Sequence, residues 1–126
     1  MSLSVLVVED DAQSRFMVTE MLDELGYEFH EACNGAEGIE RSLDLSDKID
    51  LILMDIHMPL KSGDEAVSEI RTSLQDPPKG IPIIAVTADT AWHNRDYVQS
   101  RGFDGVLSKP VSLSRLRSTL EAVRAA

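Results

Sequence analysis

The sequence predicts an α/β domain in which a five-stranded parallel sheet is wound on both faces by five helices. Three observations carry that prediction. Short apolar runs alternate with stretches of helical period, and no long linker, repeat or low-complexity tract interrupts them. The runs Val5 to Val8, Leu51 to Met54 and Ile83 to Val86 are continuously apolar, as strands buried on both faces are. Each run ends in polar residues, Glu9-Asp10, Asp55 and Thr87 respectively, and a shorter segment, Val106-Leu107-Ser108, ends at Lys109-Pro110.

Taken in order, Ser4 to Glu9 reads as the first strand. Asp11 then caps a helix whose Ala12, Phe16, Met17, Met21, Leu22 and Leu25 share one face, and Gly26 closes it in the left-handed conformation. Tyr27 to Ala32 alternates apolar and polar residues and reads as an edge strand. Asn34-Gly35 turns the chain into a shorter helix carrying Ala36, Ile39 and Leu43. Asp50 to Asp55 is the third strand, which Pro59 keeps from continuing, so Asp55 falls at its C-terminal lip. Gly63 precedes a helix with Ala66, Val67, Ile70 and Leu74 inward, and Asp76-Pro77-Pro78-Lys79-Gly80 is a loop.

Ile81 to Thr87 is the fourth strand, followed by a helix from Ala91 to Arg101 whose apolar pattern is the weakest in the chain. Gly102 ends that helix, Asp104 to Ser108 forms a short fifth strand, and Ser112 caps a last helix with Leu113, Leu116, Leu120 and Val123 on one stripe. The edge-like second strand favours the flavodoxin-like order 2-1-3-4-5. That order sets the first and third strands side by side at the topological switch point, with Glu9-Asp10 beside Asp55, at the sheet edge where open α/β sheets bind ligands.

Length and composition bound the function. A chain of 126 residues, 43% hydrophobic, suits one domain spanning 1–126, with Met1-Ser2-Leu3 reading as native or as a cloning remnant. No apolar run approaches the roughly 20 residues that cross a bilayer, and no basic segment followed by an apolar core opens the chain. The single Cys33 forms no internal disulfide and fits a reducing cytoplasm. A formal charge of −10 with its basic residues dispersed argues against nucleic acid as a direct ligand.

Three carboxylates at one sheet edge need a chemical reason. At about 4 Å and an effective dielectric near 20, each like-charged pair repels by roughly 4 kcal/mol, so such a cluster protonates, spreads or binds a cation. Mg²⁺ is the cation that fits best, since it takes a few carboxylate oxygens, keeps several waters and shares its shell with phosphate. Lys109 adds a point positive charge and Thr87 a hydroxyl donor. Together these groups could neutralise the oxygens of a phosphoryl group in transfer to Asp55, which would act as nucleophile and form an acyl phosphate.

Four motifs then bear a family likeness. Val7-Val8-Glu9-Asp10-Asp11, Leu53-Met54-Asp55-Ile56-His57-Met58-Pro59, Ala85-Val86-Thr87-Ala88 and Leu107-Ser108-Lys109-Pro110 resemble, in order and spacing, the receiver domain of two-component response regulators. The resemblance covers the whole chain and looks most similar to receivers of hybrid histidine kinases. It implies that Asp55 is the phosphoacceptor and that Glu9 and Asp10 are the acidic pair, with Asp10 ligating Mg²⁺ directly. His57 would contribute its backbone carbonyl to the metal. Thr87 would be the switch hydroxyl and Lys109 the phosphate-contacting lysine, its bond to Pro110 cis. The implied donor is a phosphohistidine on a histidine kinase or histidine phosphotransfer protein, and the domain would catalyse its own phosphorylation and, more slowly, its dephosphorylation.

The likeness is not complete. Receivers usually carry Tyr or Phe three positions before the lysine, where this chain has Val106, so the usual aromatic switch rotamer has no counterpart. Val111 replaces the common Phe after Lys-Pro, and Lys61-Ser62-Gly63 stands where Met-Asp-Gly is frequent. Two other function classes stand beside the phosphorylatable receiver. One is an unphosphorylated pseudo-receiver acting as an interaction module, against which Asp55, Thr87 and Lys109 argue. The other is a phosphoaspartyl phosphatase of the haloacid-dehalogenase type, which carries a second Asp two residues after its nucleophile, where this chain has His57. Simpler readings are a helix cap for Asp11, a wet helix face for Glu20, Asp23 and Glu24, and a solvent-facing loop side chain for His57. His30 and His93 have no expected chemical role. Asp89 reads equally as a cap or as a neighbour of the site, and Trp92 and Tyr97 either as packed against the fifth strand or as exposed to a partner.

Overall fold

The continuous apolar runs become the strands of one sheet. In a computed structural model that describes residues 3–125 apart from 74 and 77, they are β1 (Ser4–Val8), β2 (Glu28–Ala32), β3 (Leu51–Asp55), β4 (Ile83–Thr87) and β5 (Gly105–Ser108). All neighbours pair in parallel, in the order β2-β1-β3-β4-β5. The interleaved helices are α1 (Ala12–Glu24), α2 (Gly35–Asp44), α3 (Gly63–Arg71), α4 (Arg95–Ser100) and α5 (Leu113–Ala125). Every residue of β1, β3 and β4 is buried, which is why these runs need not alternate.

Alternate residues of each strand feed two cores. Val5, Val7, Leu51, Leu53, Ile84 and Val86 meet Val18 and Leu22 of α1 and Leu116 and Leu120 of α5. Leu6, Val8, Ile52, Met54, Ile83 and Ala85 meet Ala66, Val67 and Ile70 of α3 and Val98 of α4 on the other face. The helix starts follow their expected chemistry: Asp11, Asn34 and Ser62 each accept the backbone N–H three residues on, and Ser62 with Glu65 completes a capping box. The Ser112 hydroxyl accepts from Arg115 N at 3.2 Å. Such caps are worth about 1 kcal/mol each. Gly26 (φ 85°) and Gly102 (φ 94°) leave α1 and α4 through the left-handed region.

Several expectations are corrected. On α1 the inward face is Val18, Thr19 and Leu22, with Met21 and Leu25 half-buried. Phe16 and Met17 are 61% and 49% exposed, and Ala12 also faces solvent. An inward set beginning at Val18 is rotated from the one drawn through Phe16, and the apolar content of the helix is wide enough to support either. On α2 the inward positions are Gly35, Gly38 and Ser42, while Ala36 and Leu43 face out and Ile39 is half-buried. Close approach explains this: a Cβ on Gly38 would stand 3.0 Å from Val8 Cγ1. Leu74 and Pro77 lie outside the described residues.

The expected fourth helix is in fact two pieces, a single 3₁₀ turn at Thr90–Trp92 and α4 proper from Arg95. Asp89 caps the first piece and Asn94 the second, so the chain re-enters helix within a few residues. Strand ladders also begin slightly later than the sequence suggests, at Glu28, Leu51, Ile83 and Gly105, and β1 ends at Val8.

One side chain ties the end of the sheet opposite the polar strand termini. The Arg71 guanidinium donates to the carbonyls of Gly102 (2.8 Å), Lys79 (2.7 Å) and Ile81 (2.6 Å) and to Asp104 Oδ2 (2.9 Å), joining α3 to the entries of β4 and β5. Asp104 Oδ2 in turn accepts from Ile83 N. Arg71→Ala removes the donor from the three carbonyls and should cost about 2 kcal/mol, and Arg71→Lys should recover less than half because an ammonium cannot fork. Urea unfolding midpoints measure both, and an unchanged midpoint in Arg71→Ala would contradict the assignment.

Candidate functional site

Register alone brings the first two acids together. β1 and β3 are neighbours with Val8 opposite Met54, so the next residues, Glu9 and Asp55, leave the sheet side by side. Asp10 follows in the turn before α1, and one carboxylate oxygen from each of Glu9, Asp10 and Asp55 lies within 4.8 Å of the others. Glu9 and Asp55 are 5% and 4% exposed, whereas Asp10 is open to water. Gly63 lets this edge close. A Cβ there would overlap the Asp55 carbonyl oxygen, so α3 can start against β3 only with glycine at that position.

β4 and β5 supply the other two groups. Thr87 is the last, buried residue of β4 and pairs with Ser108, and its carbonyl accepts from Lys109 N at 3.1 Å. The Lys109–Pro110 bond is cis. The Lys109 ammonium crosses to Glu9 Oε1 at 2.7 Å and to Asp55 Oδ1 at 3.3 Å. The five residues Glu9, Asp10, Asp55, Thr87 and Lys109 thus meet at one end of the sheet. The His57 imidazole does not join them. It is exposed and lies 3.2 Å from Asp89 Oδ2, while Asp89 Oδ1 caps the 3₁₀ turn through Ala91 N.

The charges are unbalanced. Burial first, and then the hydrogen bond and charge of Glu9, push the Asp55 carboxyl up from 3.8 to about 7 against the pull of Lys109. Burial also raises Glu9, but hydrogen bonds with Asp55 and Lys109 outweigh it and hold that carboxyl below its usual range. Burial alone would depress Lys109, yet its hydrogen bond to Glu9 and the two carboxylate charges carry it upward. A pair of buried carboxylates beside one ammonium thus keeps a proton on Asp55 near neutrality, the sign of a site short of positive charge. An oxygen donor set with two buried members and one facing water suits a hard divalent cation that retains waters.

Arg15 holds this turn, and the sequence reading missed it. Its Nη1 donates to the Glu9 carbonyl at 2.7 Å and its Nε to Glu31 Oε1 at 3.1 Å, tying α1 and β2 to the residue that begins the acidic turn. A signal existed, since a cation in the first turns of a helix runs against the helix dipole and asks for a local anion. Beside the site a groove of about 300 Å³ runs between α1 and the segment after β5, bordered by Met17, Met21, Lys109 and Val111 and reaching Glu9.

The comparisons agree on one family. Residues 5–121 match the response regulator receiver domain. The chain is 32% identical to the polar-differentiation response regulator DivK of Brucella anthropi over 97% of this chain and 96% of that protein. It is 38% identical to hybrid signal transduction histidine kinase G of Dictyostelium discoideum over 91% of this chain, which is 3% of that protein's length. The receiver domain of sensor histidine kinase PA1611 from Pseudomonas aeruginosa, solved with a magnesium ion coordinated in its active site cleft, superposes with a TM-score of 0.85 at 28% identity over the full length of both. A match over nearly the whole chain, on the predicted fold and strand order, makes this protein a member of the response regulator receiver domain family.

Proposed function

We propose that the chain, as one receiver domain over 1–126, takes a phosphoryl group from a phosphohistidine onto Asp55 and thereby switches a partner-binding surface. The observation that carries this reading is the Asp55 carboxylate itself, buried at a strand end between Glu9 and the Lys109 ammonium. In the transfer an Asp55 oxygen forms the new P–O bond as the P–N bond to the donor imidazole breaks, and the imidazole keeps the electron pair and takes a proton. Lys109, already at Asp55 Oδ1, stays with the incoming oxygens, and the Thr87 hydroxyl donates to another. Glu9, Asp10, Asp55 and the backbone carbonyl of His57 would hold Mg²⁺, which when bound supplies the positive charge that transfer requires. Hydrolysis by water at the phosphorylated Asp55 returns the resting carboxylate.

Receiver domains work with histidine kinases or phosphotransfer proteins. For this chain the docking surface we assign is the exposed Phe16 and Met17 of α1, from which the groove leads past Met21 to Lys109 and Glu9. The rim of that surface carries Glu20, Asp23 and Glu24, which suits a donor whose contact helix is basic. The domain acts in the cytoplasm, where an exposed free thiol such as Cys33 stays reduced.

Phosphorylation separates site from docking surface. With Mg²⁺ and acetyl phosphate, intact-mass spectrometry should show one added phosphoryl group on the wild type and none on Asp55→Asn, and the same addition to Asp55→Asn would refute the assignment. A Phe16→Ser/Met17→Ser double variant should match the wild type with acetyl phosphate. It should be at least tenfold slower with a phosphorylated histidine phosphotransfer protein.

The charge imbalance also sets a pH dependence. The folded Asp55 pKa of about 7 lies above the 3.8 of an open chain. Its contribution to stability is therefore full below pH 4 and is lost as pH rises through 7. Glu9, lowered from 4.5, is ionised in both states above about pH 6, and below that it adds only a slope of opposite sign. In EDTA the wild type should lose stability against Asp55→Asn between pH 5 and 8, by at most about 1.4 kcal/mol per unit and less where water at the mouth screens the pair. Millimolar Mg²⁺ should then raise the wild-type Tm more than that of the variant. A stability gap that ignores pH would contradict the assigned proton.

A further inference from the structure

The chain lacks the aromatic that would follow a phosphoryl signal from β5, yet it buries another beside the site. Trp92 is 6% exposed and ends the 3₁₀ turn that follows β4. Consecutive hydrogen bonds connect it to Thr87. The Thr87 hydroxyl oxygen accepts from Asp89 N at 3.0 Å, Asp89 Oδ1 accepts from Ala91 N at 2.9 Å, and the Asp89 carbonyl accepts from Trp92 N at 3.1 Å. A Thr87 hydroxyl drawn toward a phosphoryl oxygen therefore either pulls the turn and its ring along or gives up its bond from Asp89 N.

The ring is seated where movement is felt. It packs edge-on against Tyr97 of α4, with centroids 5.1 Å apart, and against Phe103 at the entry to β5, 5.4 Å away. α4 has six residues and buries only Val98, and a helix that short holds its place through its packing. Tyr97 is 42% exposed, so one side of its ring meets Trp92 while the other meets solvent. A second link from the turn to β5 runs from His93 Nδ1 to Ser108 Oγ at 3.3 Å, one residue before Lys109. Val106 is half-buried against the same core and has no ring to swing.

We infer that Trp92 is the lever that passes the phosphorylation state of Asp55 to α4, through its packing on Tyr97. The inference rests on Asp55 being the acceptor. The lever replaces the missing ring at position 106 with one carried on the β4–α4 connection, so the signal reaches α4 from its N-terminal side. Packed aromatic sets of this kind shift between discrete arrangements and do not deform continuously.

Trp92 is the chain's single tryptophan, so its emission reports the lever directly. The full chain is treated with Mg²⁺ and acetyl phosphate while intact mass and emission are followed together, with Asp55→Asn as the unphosphorylated control. The wild-type emission should change in proportion to the phosphorylated fraction, and that of Asp55→Asn should stay constant. Amide exchange over residues 95–101, compared with and without phosphate, should change in the wild type and lose at least half of that change in Trp92→Leu. Trp92→Phe, which keeps a ring against Tyr97 and Phe103, should recover part of it and covers the case in which Trp92→Leu folds poorly. A phosphorylated chain with unchanged Trp92 emission would overturn the lever and leave the acceptor standing. Full exchange changes in both Trp92 variants would do the same. Absence of phosphorylation would overturn the acceptor, and the lever with it.

Discussion

Two carboxylates buried side by side against one ammonium are the constraint on which the rest of this molecule depends. Glu9 and Asp55 leave adjacent parallel strands at the same level, and Lys109 reaches both from a strand at the sheet's edge. Left alone, the cluster resolves its repulsion by keeping a proton on Asp55. Under the function proposed above, that proton sits on the atom that would act as nucleophile, and a bound cation would make good the same deficit of positive charge.

The architecture holds that strained edge in place by close approach and by ties at both ends of the sheet. Gly63 allows α3 to begin against the Asp55 carbonyl, and Gly38 allows α2 to lie on Val8. Arg15 grips the Glu9 carbonyl at the functional end, while Arg71 gathers three carbonyls at the other. Stability resides in the fully buried β1, β3 and β4. The six-residue α4, which buries Val98 and leans on the Trp92 ring of the β4–α4 connection, depends most on its packing for its place.

Much of this was legible in the sequence, for physical reasons that can be named. A strand buried on both faces leaves a continuous apolar run, and a polar residue ending such a run has few places to go except the sheet edge, so the strands, their order and the meeting of Glu9, Asp10, Asp55 and Lys109 could be read directly. Helix faces were harder. α1 has more apolar residues than it buries, so periodicity could not say that Phe16 and Met17 face water while Thr19 does not. On α2 the buried face is made of Gly35, Gly38 and Ser42, which a hydrophobic pattern does not register. The break at His93-Asn94 was hidden because Trp92, Tyr97 and Val98 suggest one weak helix, and only the caps at Asp89 and Asn94 divide it. Arg15 stood out only as a cation set against the α1 dipole, and its grip on the Glu9 carbonyl leaves no trace in residue identity.

Calorimetric titration of the metal-free chain with Mg²⁺ at pH 7, repeated in buffers of different ionisation enthalpy, tests the charge balance most directly. Metal binding that displaces the Asp55 proton should release about half a proton per site at that pH, falling toward zero by pH 9 and absent in Asp55→Asn. Mg²⁺ binding at pH 7 with no proton released, or with the same release in Asp55→Asn, would contradict it.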